Sequence, residues 1–269
     1  MFESPPRPSS ALHTQDGHDD ETPSLNQKGE FVAIGSTSFV ERLPNGTIIK
    51  TAWPGGDRAQ QRRREIATEA EIYDSLGEHP CLVKKKGWDP DEFTLTLEDM
   101  PNGTLKDYLE SHADVPMEQR KKWTTEAIAC IQLLHSSAII HCDIGPHNFL
   151  LDDRLRLKII DFSGSSVDGS HTEISPGTRY AAPTLDRSLQ WTPTVITDLF
   201  SLGSTIYYIM MGKAPFEEFQ SEDVQKMYRN QEFPDLTGMP YADIIRSCWS
   251  QDFDSVDKLV PLLDVQTED

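Results

Sequence analysis

Asp143, Asn148 and Asp161 share a short stretch, Ile139 to Ser163, with Asn148 five residues after Asp143. Carboxylate and amide oxygens are hard ligands of the kind Mg²⁺ takes, and Mg²⁺ shares its coordination sphere with phosphate oxygens. Such ligands work only if rigid elements hold them. Phe149-Leu150-Leu151 reads as a short buried strand and Asp152-Asp153 as turn chemistry. Leu155, Leu157 and Ile159 alternate with polar residues, so a second strand closes a hairpin on Asp161. Asp143 and Asn148 fall in the loop before the hairpin, and Asp161 where it ends. Asp and Asn in loops are commonly plain turn formers, so the joint spacing carries the argument.

That joint pattern is His141-Cys142-Asp143, then Asn148, then an apolar hairpin closing on Asp161-Phe162. It resembles the catalytic and metal-binding loops of the eukaryotic protein kinase family. The resemblance implies an α+β, two-lobed fold, with a small β-rich N-lobe carrying one main helix and a larger, mostly helical C-lobe. It implies ATP and Mg²⁺ as cofactors and a protein as substrate. Asp143 would orient the substrate hydroxyl and accept its proton, and Asn148 and Asp161 would hold Mg²⁺.

Composition sets the bounds. The chain has 269 residues, 37% hydrophobic and 26% charged, enough for two small lobes with real cores. No apolar run has the length of a membrane span. Met1-Phe2-Glu3-Ser4-Pro5-Pro6 lacks the basic and apolar regions of a secretory signal. Cys81, Cys130, Cys142 and Cys248 are far apart, without zinc or disulfide spacing. Buried free thiols in a reducing, intracellular compartment, the cytoplasm, are the expectation. The net charge of −19 argues against nucleic-acid binding. It would steer basic protein substrates toward the chain, although solubility alone accounts for it. A monomer is expected. Short basic runs such as Lys84-Lys85-Lys86 read as solvated faces.

Residues 1–28 are rich in Pro, Ser, Asp and His and poor in large apolar residues, which predicts a disordered tail. The N-lobe is placed at 29–98, the hinge at 99–103 and the C-lobe at 104–269. Strands are predicted over Phe31–Ile34, Phe39–Leu43, Thr47–Lys50, Cys81–Trp88 and Phe93–Leu97, with a turn at Pro44-Asn45-Gly46. The small-residue loop from Gly35 to Val40 lies where the family has its glycine-rich phosphate loop, but only Gly35 remains of three glycines. Thr47-Ile48-Ile49-Lys50 resembles the family's V-A-I-K strand, which makes Lys50 the phosphate-binding lysine. Its partner is a glutamate of the helix from Arg62 to Leu76: Glu69, with Glu65 one turn earlier as the alternative. Leu97 would be the gatekeeper, and Glu98 to Met100 would face the purine.

Later motifs follow in the family's order. A helical face carries Trp123, Ala127, Ile128, Ile131, Leu134 and His135. Gly177-Thr178-Arg179-Tyr180-Ala181-Ala182-Pro183 resembles the segment that receives a peptide, Asp198 to Gly203 the start of a long buried helix, and Ile244 to Trp249 a late helix. Cys142 stands where most members have arginine, which puts in doubt control by activation-loop phosphorylation through that arginine. Gly145 replaces the lysine of serine/threonine kinases, with His147 as a partial substitute or a plain loop residue. Ser163 replaces the glycine after Asp161-Phe162. Thr184 replaces a glutamate, and its usual arginine partner is also missing, with Val256 near that place; losing both members of a buried pair leaves no orphan charge. The expected function is an ATP-dependent protein kinase acting on Ser/Thr. The alternatives are a pseudokinase scaffold and a small-molecule kinase of the aminoglycoside or choline type.

Overall fold

The computed structural model describes residues 27–183 and 192–264. Most of the expected tail, and Thr184, lie outside them. The chain builds two lobes. The first is a five-stranded antiparallel sheet of β1 (Glu30–Ile34), β2 (Ser38–Arg42), β3 (Thr47–Ala52), β4 (Lys85–Asp89) and β5 (Thr94–Glu98), in the order β1-β2-β3-β5-β4. Helix α1 (Ala59–Leu76) packs on it through Ile66, Ala70, Ile72 and Tyr73. That spacing follows the helical period and buries one face. Between β2 and β3, Gly46 takes φ +76°, and Asn45 Oδ1 accepts the Thr47 N–H at 3.0 Å. Gly and Asn supply this turn because both tolerate or stabilise its geometry.

The second lobe is mostly helical: α2 (Leu105–Ser111), α3 (Met117–Ser136), α4 (Val195–Met211), α5 (Ser221–Arg229), α6 (Ala242–Trp249) and α7 (Val260–Asp264). Short strands β6 (Ile139–Ile140) and β9 (Ser166–Val167) pair with each other, and β7 (Phe149–Leu151) pairs with β8 (Leu157–Ile159). Helix α4 buries nearly its whole length, from Asp198 to Met210, and starts on a capping box between Thr194 and Thr197. Val256, near the place of the missing arginine, is buried in a short 3₁₀ turn.

Two sequence expectations shift. Leu155 is not in a strand. It takes φ +56° in a turn closed by the Asp152 carboxylate, which accepts the N–H groups of Arg154 and Arg156 at 2.9 Å. Cys81 to Val83 do not extend β4. They dock on the other lobe instead: the Ile159 N–H donates to Cys81 O at 2.8 Å, and Lys158 Nζ to Pro80 O at 2.6 Å. A run of apolar residues does not distinguish a strand from a buried loop by periodicity alone. All four cysteines are buried free thiols.

Candidate active site

Lys50 and Ile48 lie two apart on β3 and so share one face of the sheet. Val40 pairs with Lys50 across β2, and Leu97 with Ile48 across β5. Lys50 Nζ lies 2.6 Å from Glu69 Oε2 on α1 and 2.6 Å from Asp161 Oδ1 at the end of the hairpin. Glu65 is bonded instead to Gln61 within its own helix. Burial alone would push the Lys50 ammonium down, but Asp161 and Glu69 more than reverse this and hold it above its ordinary range. Burial also opposes the Asp161 charge, yet Lys50 and a hydrogen bond from Ser163 Oγ bring it down to about 2. Glu69 is pushed up, burial outweighing the lysine. Lys50 and Asp161 therefore sit charged, whereas burial works against the charge on Glu69.

Asp198 organises the other half. Its carboxylate, 1% exposed in the first turn of α4, accepts the N–H of His141 at 2.7 Å, the N–H of Cys142 at 3.0 Å and His135 Nε2 at 3.0 Å. A carboxylate is well placed at a helix N-terminus. These bonds hold Cys142 at φ +72°, in the left-handed region that L-residues avoid. Asp161 sits at φ +67°. Strain of this kind persists where the surroundings over-determine the backbone. His141 Nδ1 accepts the Asp143 N–H, so Nε2 carries the proton and donates to Ile160 O at 2.9 Å. Its ring meets Phe162 edge-on at 5.7 Å, and Phe162 meets Tyr73 of α1 at 5.1 Å. Burial, with Asp198 beside it, pushes the Cys142 thiol up to about 12, so it stays an unreactive thiol.

Asn148 donates from Nδ2 to Asp143 O at 2.8 Å and to Asp143 Oδ2 at 3.2 Å. Committing the nitrogen leaves its carbonyl oxygen as the group free to meet a cation. The Asn148 carbonyl oxygen and the Asp161 carboxylate are both hard oxygen groups, the chemistry that an ion sharing its ligands with phosphates and water would take. His147 Nε2 reaches Asp143 Oδ2 at 3.4 Å. Its ring lies over Gly145: a Cβ there would stand 2.5 Å from His147 Cε1. The imidazole thus occupies the space a side chain at 145 would need.

The roof of the cleft differs. The Gly35 N–H donates to Ser38 O at 2.8 Å, closing a tight loop. Trp53 fastens it, with Nε1 donating to Gly35 O at 2.9 Å and its N–H to Thr37 O at 3.1 Å. Under this loop a cavity of about 70 Å³ reaches Asp143, Asp161 and Ile174. Ile174 presses on Gly164, where a Cβ would stand 2.4 Å from it. Leu97 and Met100 are buried. The Glu98 carboxylate accepts the Lys84 N–H at 2.7 Å and the Glu98 N–H donates to Lys84 O at 3.0 Å, so both groups are tied to the strand side, away from the cleft.

The segment from Gly177 to Pro183 is anchored to the large lobe. Ser201 Oγ donates to Tyr180 O at 2.7 Å, and Tyr228 OH to Arg179 O at 3.0 Å. Among the described residues, no hydrogen bond joins Thr178 to Asp143. The structure brings together Lys50, Glu69 and Asp161, and separately Asp143 and Asn148. Three contributors were not picked out from the sequence as site residues. Asp198 was legible only as part of a helix motif. Ile48 is signalled by its bulk in place of the alanine of V-A-I-K, and Trp53 by no local pattern.

Residues 47–257 match the family model for the protein kinase domain. Similar curated proteins include a sucrose non-fermenting protein kinase 1 of Fusarium virguliforme, 31% identical over 69% of this chain and 28% of that protein. A carbon catabolite-derepressing protein kinase of Candida tropicalis is 32% identical over 70% of this chain and 29% of its own. The cell cycle serine/threonine-protein kinase CDC5/MSD2 of Saccharomyces cerevisiae is 27% identical over 75% of this chain and 29% of its own. The chain thus spans less than a third of the length of these relatives. Among the described residues, no helix is long and apolar enough to cross a membrane. Two lobes, a lysine bridged between a helix and a hairpin, and a match over most of the sequence agree: the chain belongs to the protein kinase domain family.

Proposed function

We propose that this chain is an ATP-dependent protein kinase that transfers the γ-phosphoryl group to Ser/Thr hydroxyls. The observation that carries the reading is Lys50, held at 2.6 Å from both Glu69 and Asp161, the ion pair and metal-side carboxylate that phosphoryl transfer needs in place together. MgATP, when bound, supplies the transferable phosphoryl group and a cation that neutralises phosphate charge. Lys50 would hold phosphate oxygens, Asn148 and Asp161 the metal, and Asp143 would orient the substrate hydroxyl and take its proton. Val40 and Ile48 would cover the base, with the Leu97–Met100 backbone beside it. Gly177 to Pro183, tied to Ser201 and Tyr228, would receive the peptide, and Pro146 and Thr178 favour the Ser/Thr form. The similar yeast protein is also a serine/threonine-protein kinase. A basic protein would suit the acidic chain as substrate. Incubation with labelled ATP, Mg²⁺ and a generic basic protein tests the reading. Asp143→Asn should lower incorporation about 10²–10⁴-fold, and equal labelling by wild type and variant sinks the assignment. Phosphosite mapping on a peptide library tests the Ser/Thr preference, which a majority of phosphotyrosine would overturn.

A second reading, a pseudokinase that binds nucleotide and acts as a scaffold, is favoured by the roof. The Gly35 N–H is taken by Ser38 O, and Ile48 adds bulk on the cleft face. Thermal stabilisation by ATP, independent of Mg²⁺ and without turnover, would select it over the first. The anchored Gly177–Pro183 segment weighs against a choline or aminoglycoside kinase. Phosphorylation of those small molecules, with none of proteins, would revive that reading.

A further inference from the structure

Cys81 sits in the segment after α1 that docks on the large lobe, and Cys130 in α3 of that lobe. Cys130 Sγ donates to Cys81 O at 3.8 Å, across a separation of 49 positions. The same carbonyl accepts the Ile159 N–H at 2.8 Å, which holds the segment in place. The two sulfurs are themselves hydrogen-bond neighbours. Thiols in such contact reach the disulfide bond length of about 2 Å by side-chain rotation rather than by backbone movement. Neither lines the cavity at Asp143.

The two thiols are unequal. Cys130 is 0% exposed, and burial, then Cys81, pushes it well above the ordinary thiol range. Cys81 is 7% exposed. The hydrogen bond with Cys130 lowers its thiol, burial opposes this, and the Lys158 ammonium lowers it further. Lys158 is fixed beside it by the 2.6 Å bond from Nζ to Pro80 O. A thiol lowered next to a cation is a nucleophile, and a protonated thiol in contact with it is placed to resolve what it forms. His79, Pro80 and Leu82, on both sides of Cys81, line a surface basin of about 540 Å³, which brings solvent to the segment. Cys142 and Cys248 lack this arrangement: burial pushes each up to about 12, and no second thiol acts on either.

We propose that Cys81 and Cys130 are an oxidisable dithiol, which hydrogen peroxide closes to a disulfide that ties the segment after α1 to α3. The Cys81 thiolate attacks one peroxide oxygen and the O–O bond breaks. The hydroxide that leaves takes up a proton as water, and Cys81 is left as the sulfenic acid. The Cys130 sulfur then attacks the Cys81 sulfur. Its proton goes to the departing hydroxyl, which leaves as a second water. The two thiols together lose two electrons, and the peroxide gains them. This chemistry does not depend on whether the chain transfers phosphoryl groups.

Non-reducing peptide mapping tests the site: the full chain is treated with hydrogen peroxide, then unfolded in iodoacetamide to block the remaining thiols. A linked Cys81–Cys130 peptide is expected, lost on treatment with dithiothreitol, and formed at least about tenfold faster than any oxidation of Cys142 or Cys248. In Cys130→Ser, which nearly keeps the size of the side chain, the link cannot form, and dimedone should trap the sulfenic acid on Cys81. Should that variant fail to fold, the wild-type map still decides. If Cys81 and Cys130 are both recovered as blocked free thiols, or are oxidised no faster than Cys248, the proposal is overturned. A peptide that links either of them to Cys142 or Cys248 instead overturns it too.

Discussion

The floor of the cleft and its roof are built on different principles. On the floor, a buried carboxylate accepts three hydrogen bonds, two residues are held at positive φ, and a lysine is shared between two acids. In the roof, the edge strand β1 leaves Phe31, Val32 and Ile34 exposed at 46%, 44% and 67%, and the loop after it hangs on two bonds from Trp53. The floor keeps the acidic and amide residues that match the family's loops, whereas the roof has only one of the family's three glycines. Buried polar networks fail as units when one member goes. A surface loop closed by local backbone bonds tolerates exchange, because each bond is replaceable.

Breaking the floor should therefore produce the largest effect. Asp198→Ala strands the N–H groups of His141 and Cys142 and the His135 imidazole in the core, and should destabilise the fold by about 3–5 kcal/mol. Urea unfolding measures it. Asp198→Asn, which keeps one acceptor oxygen, should fall in between. A loss below about 1 kcal/mol would mean that the loop is held by something else.

The matching change in the roof is Ile48→Ala. Ile48 is half-buried beside Leu97, so truncation should destabilise by about 1–2 kcal/mol, less than in a full core. It also clears the cleft face of β3 next to Lys50. ATP should bind several-fold more tightly by titration. A weaker Kd would show that the isoleucine makes a useful contact with the base, which removes one support of the scaffold reading.

How much of this was legible follows the same division. Floor residues carry their signal in spacing: Asp143, Asn148 and Asp161 are fixed by one loop and one hairpin, so the sequence places them together. Lys50 and Glu69 could be paired only through the resemblance, since a separation of nineteen positions leaves Glu65 and Glu69 as open choices until α1 is packed. The contact of Cys81 to Val83 with β8 was hidden because tertiary docking, not local periodicity, decides a short apolar run. Trp53 was invisible for the same reason: its role is a bond to a loop distant in sequence.

A smaller effect, confined to acid, separates the charges on the floor. The folded-state pKa of Asp161 is depressed to about 2 against about 3.9 when unfolded, so its contribution to stability is present above the unfolded value and is lost as pH falls through the folded one. Glu69, raised by burial, works in the opposite sense and takes up its proton first. The stability difference between wild type and Asp161→Asn should hold steady above pH ~4 and shrink from there toward ~2. Denaturant unfolding at several pH values reads it. A difference that grows on acidification would mean that Lys50 leans on Glu69 rather than on Asp161.

The smallest effect on stability belongs to the catalytic loop, and it sharpens the comparison most. If the missing lysine were simply absent, Gly145→Lys would restore it. The ring of His147 stands in its way, with Cε1 2.5 Å and Nδ1 2.7 Å from a Cβ at 145. The obstacle is a side chain that is 45% exposed and able to swing out, so the substitution should destabilise by under about 1 kcal/mol. Swinging out, however, breaks its approach to Asp143 Oδ2 at 3.4 Å. Gly145→Lys alone should therefore leave transfer to serine unchanged or lower. The double variant Gly145→Lys with His147→Ala should exceed both single variants, because the lysine gains room without displacing a residue that still holds the aspartate. Initial rates at saturating ATP give the cycle. A rise in the Gly145→Lys single variant equal to that of the double would show that the imidazole is a bystander, and that the loop on the floor tolerates exchange as readily as the roof.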